Sequence, residues 1–357
     1  MRREDTLIPG GGPAGSAAAI TLARAGTRPL VLEKQRETGD ALCGGFLSWH
    51  SLDELGRLGI EKLRGATVDH VRLFTAKGSA SAPLPRSALG VSRRQLDSAL
   101  LSHAETLGAA VERGVTAREV RGRSLVAEGE GFEPERLLLA TGKHDVRGAG
   151  RPKPSDDPAL GLRVRLGPSA ALSRLVEGAI ELHLVDRGYA GVVLQEDGTA
   201  LLCLAVRKSR LNEAGSPREL LLSMGSEVSA LSERFAWLPE EAPVDAIASI
   251  PYGWRATRTE PGVYRLGDQA GVIASLAGEG MGIALASGVL AAEAVLRGES
   301  AETYQRKLAS RTWRPITVAS AIRAAAERPA TAPMLAGMMG IAPGLATLLA
   351  RATRVGH

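Results

Sequence analysis

The chain has 357 residues and a formal net charge of +5, from 44 Lys and Arg against 39 Asp and Glu. That length can bury more than one core, so two domains are expected, and no dense basic run with interleaved aromatics points to a nucleic-acid partner. Cys43 and Cys203 are the only cysteines, which excludes a disulfide framework and a cysteine metal cluster.

The N-terminus is charged and enters a folded pattern at once, so no signal peptide and a cytoplasmic protein are expected. Residues 5–34, DTLIPGGGPAGSAAAITLARAGTRPLVLEK, read as strand, glycine turn, helix and second strand. Gly10, Gly12 and Gly15 form G-x-G-x-x-G: a tight turn, a close backbone approach for a pyrophosphate, and close helix–strand packing. The helix over 14–25 aims its free N–H groups and positive dipole end at the phosphates, and Gly26 stops it. Glu33 ends the strand over 27–32 and lies 23 residues after Gly10. A carboxylate about 20 residues on holds the adenosine ribose. Glycine-rich turns also occur without ligands; here the complete βαβ context favours a dinucleotide. Pro9 removes one donor at the end of the first strand.

Next comes Cys43-Gly44-Gly45-Phe46-Leu47-Ser48, then a helix over 51–58. A strand is expected over 68–74, with Pro83 and Pro85 closing that excursion. A helix over 92–107 has Leu96, Leu100, Leu101 and Ala104 on its apolar face. Short strands follow at 109–112 and 116–120. The apolar run 137–140 leads into Thr141-Gly142, as a buried parallel strand would. From about Arg151 the texture changes: Pro152, Pro154, Pro158 and Pro168 precede strands at 162–166, 181–185, 191–194 and 200–206. These suggest a largely antiparallel sheet. Ser216-Pro217-Arg218-Glu219 is a capping box, and 244–250 is expected to return the chain to the first domain. Residues 263–266 form another short strand, and the glycines at 278–282 open an apolar helix to about Leu296. The tail from Ala301 is helical and rich in arginine, and 331–350 carries no charge.

The stretch GDQAGVIASLAGEGMG at 267–282 is the second strong signal. Asp268 can accept from a ribityl hydroxyl, and the helix N-terminus near Gly280 and Met281 can stabilise negative charge on a reduced flavin. Alternatively Asp268 caps a turn and the glycines pack. Paired with the N-terminal fingerprint, the stretch favours FAD.

The chain resembles the FAD-dependent oxidoreductases that include aromatic-ring hydroxylases and geranylgeranyl reductases. The likeness covers most of the chain and rests on GGGPAG with Glu33, on CGGFLS (43–48), on Arg93-Arg94-Gln95-Leu96-Asp97, on ATGKHDVRG (140–148) and on the GD stretch. It looks closest to bacterial members linked to polyketide or lipid modification, with GYAG (188–191) as a further likeness. The resemblance implies that Gly10, Gly12, Gly15, Glu33, Arg93 and Asp268 contact FAD. Further candidate contacts within the same motifs are Pro13, Ala14, Lys34, Cys43, Gly44, Thr141, Gly142, Gly267, Gly278, Gly280 and Met281. Two departures bear on activity. Thr141 stands where hydroxylases carry an aspartate tied to FAD and NADPH handling, and Ser275 replaces a proline on the substrate side of the flavin. A second G-x-G-x-x-G is absent, so reducing equivalents are expected from transient NAD(P)H contact, a protein donor or the substrate.

The expected fold is α/β with an α+β second domain: a Rossmann-type FAD-binding domain (1–66, 84–150 and 245–300), an inserted largely antiparallel substrate sheet (67–83 and 151–244) and a helical C-terminal segment (301–357). Cys43 and His50 are the catalytic candidates. Cys43 lies between a glycine pair and the fingerprint, yet a lone cysteine is more often a small hydrophobe. Cys203, in an apolar strand, reads as core. His144 is a second proton-transfer candidate, and Phe46, Tyr189 and Trp254 are candidate substrate contacts. The leading expectation is a monooxygenase acting on a hydrophobic, polyketide- or lipid-like small molecule. The alternatives are a flavin-dependent reductase or dehydrogenase of C=C bonds, a flavin-binding membrane-peripheral protein without turnover, and a flavin-free NAD(P) dehydrogenase. Halogenation is disfavoured because W-x-W-x-I-P is absent. The segment 331–350 is broken by Pro333, Gly337, Gly340, Pro343 and Gly344, so two short helices, with peripheral membrane contact as the lesser reading, are expected rather than a span.

Overall fold

The fingerprint folds as a parallel pair joined by a helix: β1 (Arg2–Pro9), α1 (Pro13–Arg24) and β2 (Leu30–Glu33). The computed structural model describes residues 1–152 and 156–355; Pro154 of the proline-rich stretch lies outside them. Around the pair stands a seven-stranded sheet. On it β6 (Ala110–Arg113), β9 (Glu130–Leu139) and β15 (Val263–Arg265) extend the parallel arrangement, and β7 (Ala117–Arg121) and β8 (Ser124–Ala127) add an antiparallel ribbon. The apolar run that ends β9 is buried, flanked by β1 and β15. Two helices clamp one face closely. A Cβ at Gly288 of α8 (Gly280–Leu296) would lie 2.2 Å from the carbonyl of Ala14 in α1, so only glycine permits this approach.

The second sheet has eight strands, in the order β14-β10-β13-β12-β11-β4-β5-β3. They are β3 (Phe46–Leu47), β4 (Ala66–Thr75), β5 (Gly78–Gly90), β10 (Ala159–Leu166), β11 (Gly178–Val185), β12 (Gly188–Leu194), β13 (Ala200–Arg207) and β14 (Asp245–Ile250). All pairs are antiparallel except β4–β11. One face is covered by the short helices α4 (Ala170–Val176), α5 (Lys208–Ala214), α6 (Pro217–Glu227) and α7 (Ser229–Arg234). Ser216 caps α6 by accepting from the Glu219 N–H, as the capping box requires. Helices α2 (Trp49–Arg57) and α3 (Arg93–Thr106) begin on Ser48 and Ser92 caps. The tail forms α9 (Ala301–Ala326), α10 (Ala332–Ile341) and α11 (Pro343–Ala352).

The structure departs from the expected boundaries in two places. Pro83 and Pro85 do not end the excursion; β5 continues to Gly90. Pro83 stands opposite His70 of β4, and Pro85 falls where the β4–β5 register shifts between Pro83 and Ala88, so the irregularity takes up the second proline. Residues 245–250 do not return to the first domain but form the edge strand β14, paired to β10. The substrate sheet therefore takes in 46–47, 84–90 and 245–250, which the sequence division gave to the FAD-binding part. These segments are short, and what assigns them is a ladder partner distant in sequence.

Candidate active site

The glycine turn is a cradle that side chains would fill. Gly10 has φ +111°, and its Cβ would lie 2.3 Å from the Ala140 carbonyl; that of Gly15 would lie 1.9 Å from the Gly10 carbonyl. Over Gly12 the space is open, with Arg93 Nη2 at 3.4 Å as its neighbour. Gly12 caps α1 with no side-chain hydrogen bond, so the helix N-terminus faces this opening with free donors. Glu33 accepts from the Gly11 and Gln35 N–H groups at 2.9 Å each, which fixes its carboxylate at the strand tip with lone pairs to spare. Arg93 forms a two-point ion pair with Asp97 at 2.8 and 2.7 Å. Burial alone would pull its pKa down, but Asp97 and contact with Cys43 more than reverse that.

Gly267 and Asp268 follow β15 directly. The Gly267 N–H donates to Ser287 Oγ of α8 at 2.8 Å, and the Asp268 carbonyl accepts from Arg151 at 3.3 Å. Gly278, at φ +62°, lets the chain turn into α8 against Phe46, whose ring lies 2.6 Å from where a Cβ would stand. Between the two sheets lies one cavity of about 1180 Å³. Its far wall is aliphatic, with Ile180, Leu182, Val193, Leu204, Ile247 and Ile250. Lys34 and Lys143 add positive charge at its polar end.

The Cys43 loop is fixed to an unusual degree. Four consecutive carbonyls accept from side chains of other segments. Asp40 and Ala41 take Arg163 at 2.8 Å each, Leu42 takes Lys143 at 2.6 Å, and Cys43 takes the Cys203 thiol at 3.0 Å. Arg163 is itself buried and paired with Asp40 and Asp245. Cys203, read as core, thus stands on the cavity wall; burial pushes its pKa up to about 12, so it remains a thiol and a donor.

Residues 3–148 match the FAD binding domain family. The chain is an FAD-dependent oxidoreductase. It is 27% identical to a menaquinone reductase of Mycolicibacterium smegmatis over 83% of this chain and 77% of that protein. It is 24% identical to digeranylgeranylglycerophospholipid reductase 2 of Methanopyrus kandleri over 86% and 81%. Among solved structures, a geranylgeranyl bacteriochlorophyll reductase-like protein of Thermoplasma acidophilum superposes with TM-score 0.74 at 20% identity, covering 95% of this chain and 92% of that one. The flavin-dependent brominase Bmp2 superposes with TM-score 0.78 at 16% identity, covering 98% and 93%. Both likenesses share the fold.

The flavoprotein's residues fit FAD. The open space over Gly12 and the α1 N-terminus suit the pyrophosphate, Glu33 the adenosine ribose, and Asp268 the ribityl chain. Pro13, Ala14, Lys34, Cys43, Gly44, Arg93, Thr141, Gly142, Gly267, Gly278, Gly280 and Met281 line the same cavity. Gly15 does not line it; it packs α1 on the turn. Phe46 and Tyr189 lie in the cavity wall, whereas Trp254 packs beside Ile250 and Val272, outside it. His50 also lies outside. Its Nδ1 is 2.9 Å from Glu279, the buried residue preceding α8. His144 lines the cavity; burial, then Lys34 and Lys143, lower its pKa, so it is neutral at pH 7.

One feature of the site was not read from sequence. Tyr189 and Tyr252 both hydrogen-bond Ser275, Tyr252 at 2.8 Å, so three hydroxyls meet on the cavity wall just before α8. Burial raises the Tyr189 pKa well above 10, with Tyr252 adding to the effect, so it stays a neutral phenol. The signal available was Ser275 in place of a proline, but nothing in the sequence places two tyrosines against it.

Proposed function

We propose that this flavoprotein reduces a C=C bond in an isoprenoid- or other lipid-like substrate. The hydroxyl cluster of Tyr189, Ser275 and Tyr252 carries the reading, because it sets a proton donor into a cavity that also has an aliphatic wall. Saturating a C=C bond requires a hydride at one carbon and a proton at the other. Bound FAD supplies two-electron redox chemistry, reloaded by an external donor. Tyr189 Oη, neutral and linked through Ser275 to Tyr252, can give the proton and be reprotonated along that chain. The clamped Cys43 loop and Phe46 line the same cavity and would help exclude water from bound FAD. Relatives aligned over more than four fifths of the chain carry reductase names, which supports the same reading.

The test is anaerobic. The FAD-loaded protein, reduced with dithionite, is mixed with a prenyl-chain quinone or a geranylgeranyl lipid. Reoxidation of the flavin with gain of two hydrogens in the lipid by mass spectrometry is expected. If the reduced protein ignores such substrates and instead gives a hydroxylated product on admission of oxygen, the reductase assignment fails and monooxygenation takes its place.

A further inference from the structure

Positive charge and exposed apolar surface both concentrate at one end of the chain. Residues 303–357 hold eight of the 44 Lys and Arg and one of the 39 Asp and Glu. The remainder has 36 against 38, a net charge of −2, so the basic character of the protein resides in this tail. Its single acid, Glu327, is already engaged by Arg207 and Arg323. The exposed large apolar side chains Met334, Met338, Ile341 and Leu348 lie on α10 and α11, with Ile341 at 88% exposure. These two helices meet at an elbow of 113°, and among the described residues no single helix is long and apolar enough to cross a membrane.

Between α9 and α11 lies a recess of about 580 Å³, lined by His50, Arg311, Arg314, Leu348, Arg351 and Arg354. Among the described residues the side chains of Arg311, Arg314 and Arg351 have no ion pair or hydrogen bond. Arg354, with a side chain 10% exposed, pairs with Glu279 but leaves its buried Nε without a partner. Several guanidinium groups around one hollow repel one another unless an anion enters. Guanidinium groups suit phosphate oxygens, and aliphatic side chains beside them suit the acyl boundary just below a phosphate layer.

We propose that the α10–α11 elbow and the arginine recess dock this protein on an anionic phospholipid bilayer. Ile341 and Met338 enter the acyl boundary, and Arg311, Arg314 and Arg351 meet headgroup phosphates. An acidic protein would satisfy the arginines but not the uncharged elbow, which has no charged residue from 329 to 350. Docking would bring the cavity wall to the bilayer, since Ala332 and Leu335 of α10 pack with Tyr189 and Tyr252. The inference does not rest on the reductase reading, because docking needs no turnover.

The experiment is co-sedimentation of the FAD-loaded protein with phosphatidylglycerol–phosphatidylcholine vesicles and with phosphatidylcholine vesicles. Salt-sensitive binding to the first, at least tenfold tighter than to the second, is expected. The variant Arg311→Gln/Arg314→Gln/Arg351→Gln is expected to bind about 100-fold more weakly, from roughly fivefold per arginine near the surface. Met338→Ser/Ile341→Ser should also lose binding. If the triple variant sheds its flavin absorbance, the single variants Arg314→Gln and Arg351→Gln, both at exposed positions, replace it. Equal binding to both vesicle types, or a charge variant that binds like the parent, overturns the proposal. So does stabilisation by inorganic phosphate without sedimentation, which would make the recess a small-anion site.

Discussion

Replacing Glu279 with Gln removes one charge and almost no volume, at a position with no exposure to solvent. The carboxylate accepts from Ser48 Oγ at 2.9 Å, His50 Nδ1 at 2.9 Å, Arg354 Nη1 at 2.5 Å and the Val355 N–H at 3.4 Å. Removing one partner from a buried ion pair strands the other, at a cost of about 3–5 kcal/mol. With an unfolding entropy of about 2.1 cal/mol/K per residue, the chain has about 0.75 kcal/mol/K, so its melting temperature should fall by about 4–7 °C. The loss depends on pH in a definite way. Burial would raise the Glu279 pKa, but the His50 hydrogen bond and the Arg354 charge hold it below the usual carboxylate value. Its contribution is therefore present above the ordinary value of 4.5 and fades as pH falls through the depressed one. Burial would lower the His50 pKa, but Glu279 raises it overall, so its contribution is complete below 6.5 and fades as pH rises through the raised value. The difference between parent and Glu279→Gln should thus be greatest between pH 4.5 and 6.5. Thermal melts of both proteins, followed by circular dichroism across pH, measure it. A Gln variant within about 1 kcal/mol of the parent at every pH would refute the reasoning, since it would mean Arg354 and His50 find other compensation.

Gly12→Ala and Gly15→Ala should differ in kind. The first meets open space and should fold normally but bind FAD at least tenfold more weakly; the second drives a Cβ into the Gly10 carbonyl and should yield little folded protein. Flavin content and soluble yield separate the two. Glu33→Gln should weaken FAD binding about 10–100-fold through loss of a charge-assisted hydrogen bond, read by the recovery of flavin fluorescence on dilution. Tyr189→Phe should slow C=C reduction about 10²-fold and abolish the solvent deuterium isotope effect while leaving the flavin spectrum unchanged; an unaltered rate would remove Tyr189 as the proton donor.

What could be read from the sequence was what is local. Gly10, Gly12, Gly15 and Glu33 owe their places to a turn, a helix start and a strand tip, all within 24 residues. The Ser216 capping box and the antiparallel strands at 159–207 were legible for the same reason. Wherever a role depends on a distant partner, the sequence was silent. Cys203 looks like core because its strand is apolar, and only the fold sets its thiol against Cys43. Tyr252 and Trp254 stand two residues apart in a turn, where no strand periodicity says which faces the cavity. His50 follows a cofactor motif in sequence, yet α2 carries it to the far side of Glu279.

The four captured carbonyls of residues 40–43 bear on how this site can be altered. Their donors, Arg163, Lys143 and Cys203, belong to the substrate sheet and to the segment after β9. The loop's shape is therefore stored outside the loop. Grafting Cys-Gly-Gly-Phe into a related flavoprotein would move the letters without the scaffold that gives them form. In the other direction, Ala41, Leu42 and Cys43 should accept changes in their side chains readily, because the grip there is on the backbone, whereas Asp40 also pairs with buried Arg163 through its carboxylate. New chemistry on this part of the cavity wall is reachable by point mutation, and transferable only together with a sheet.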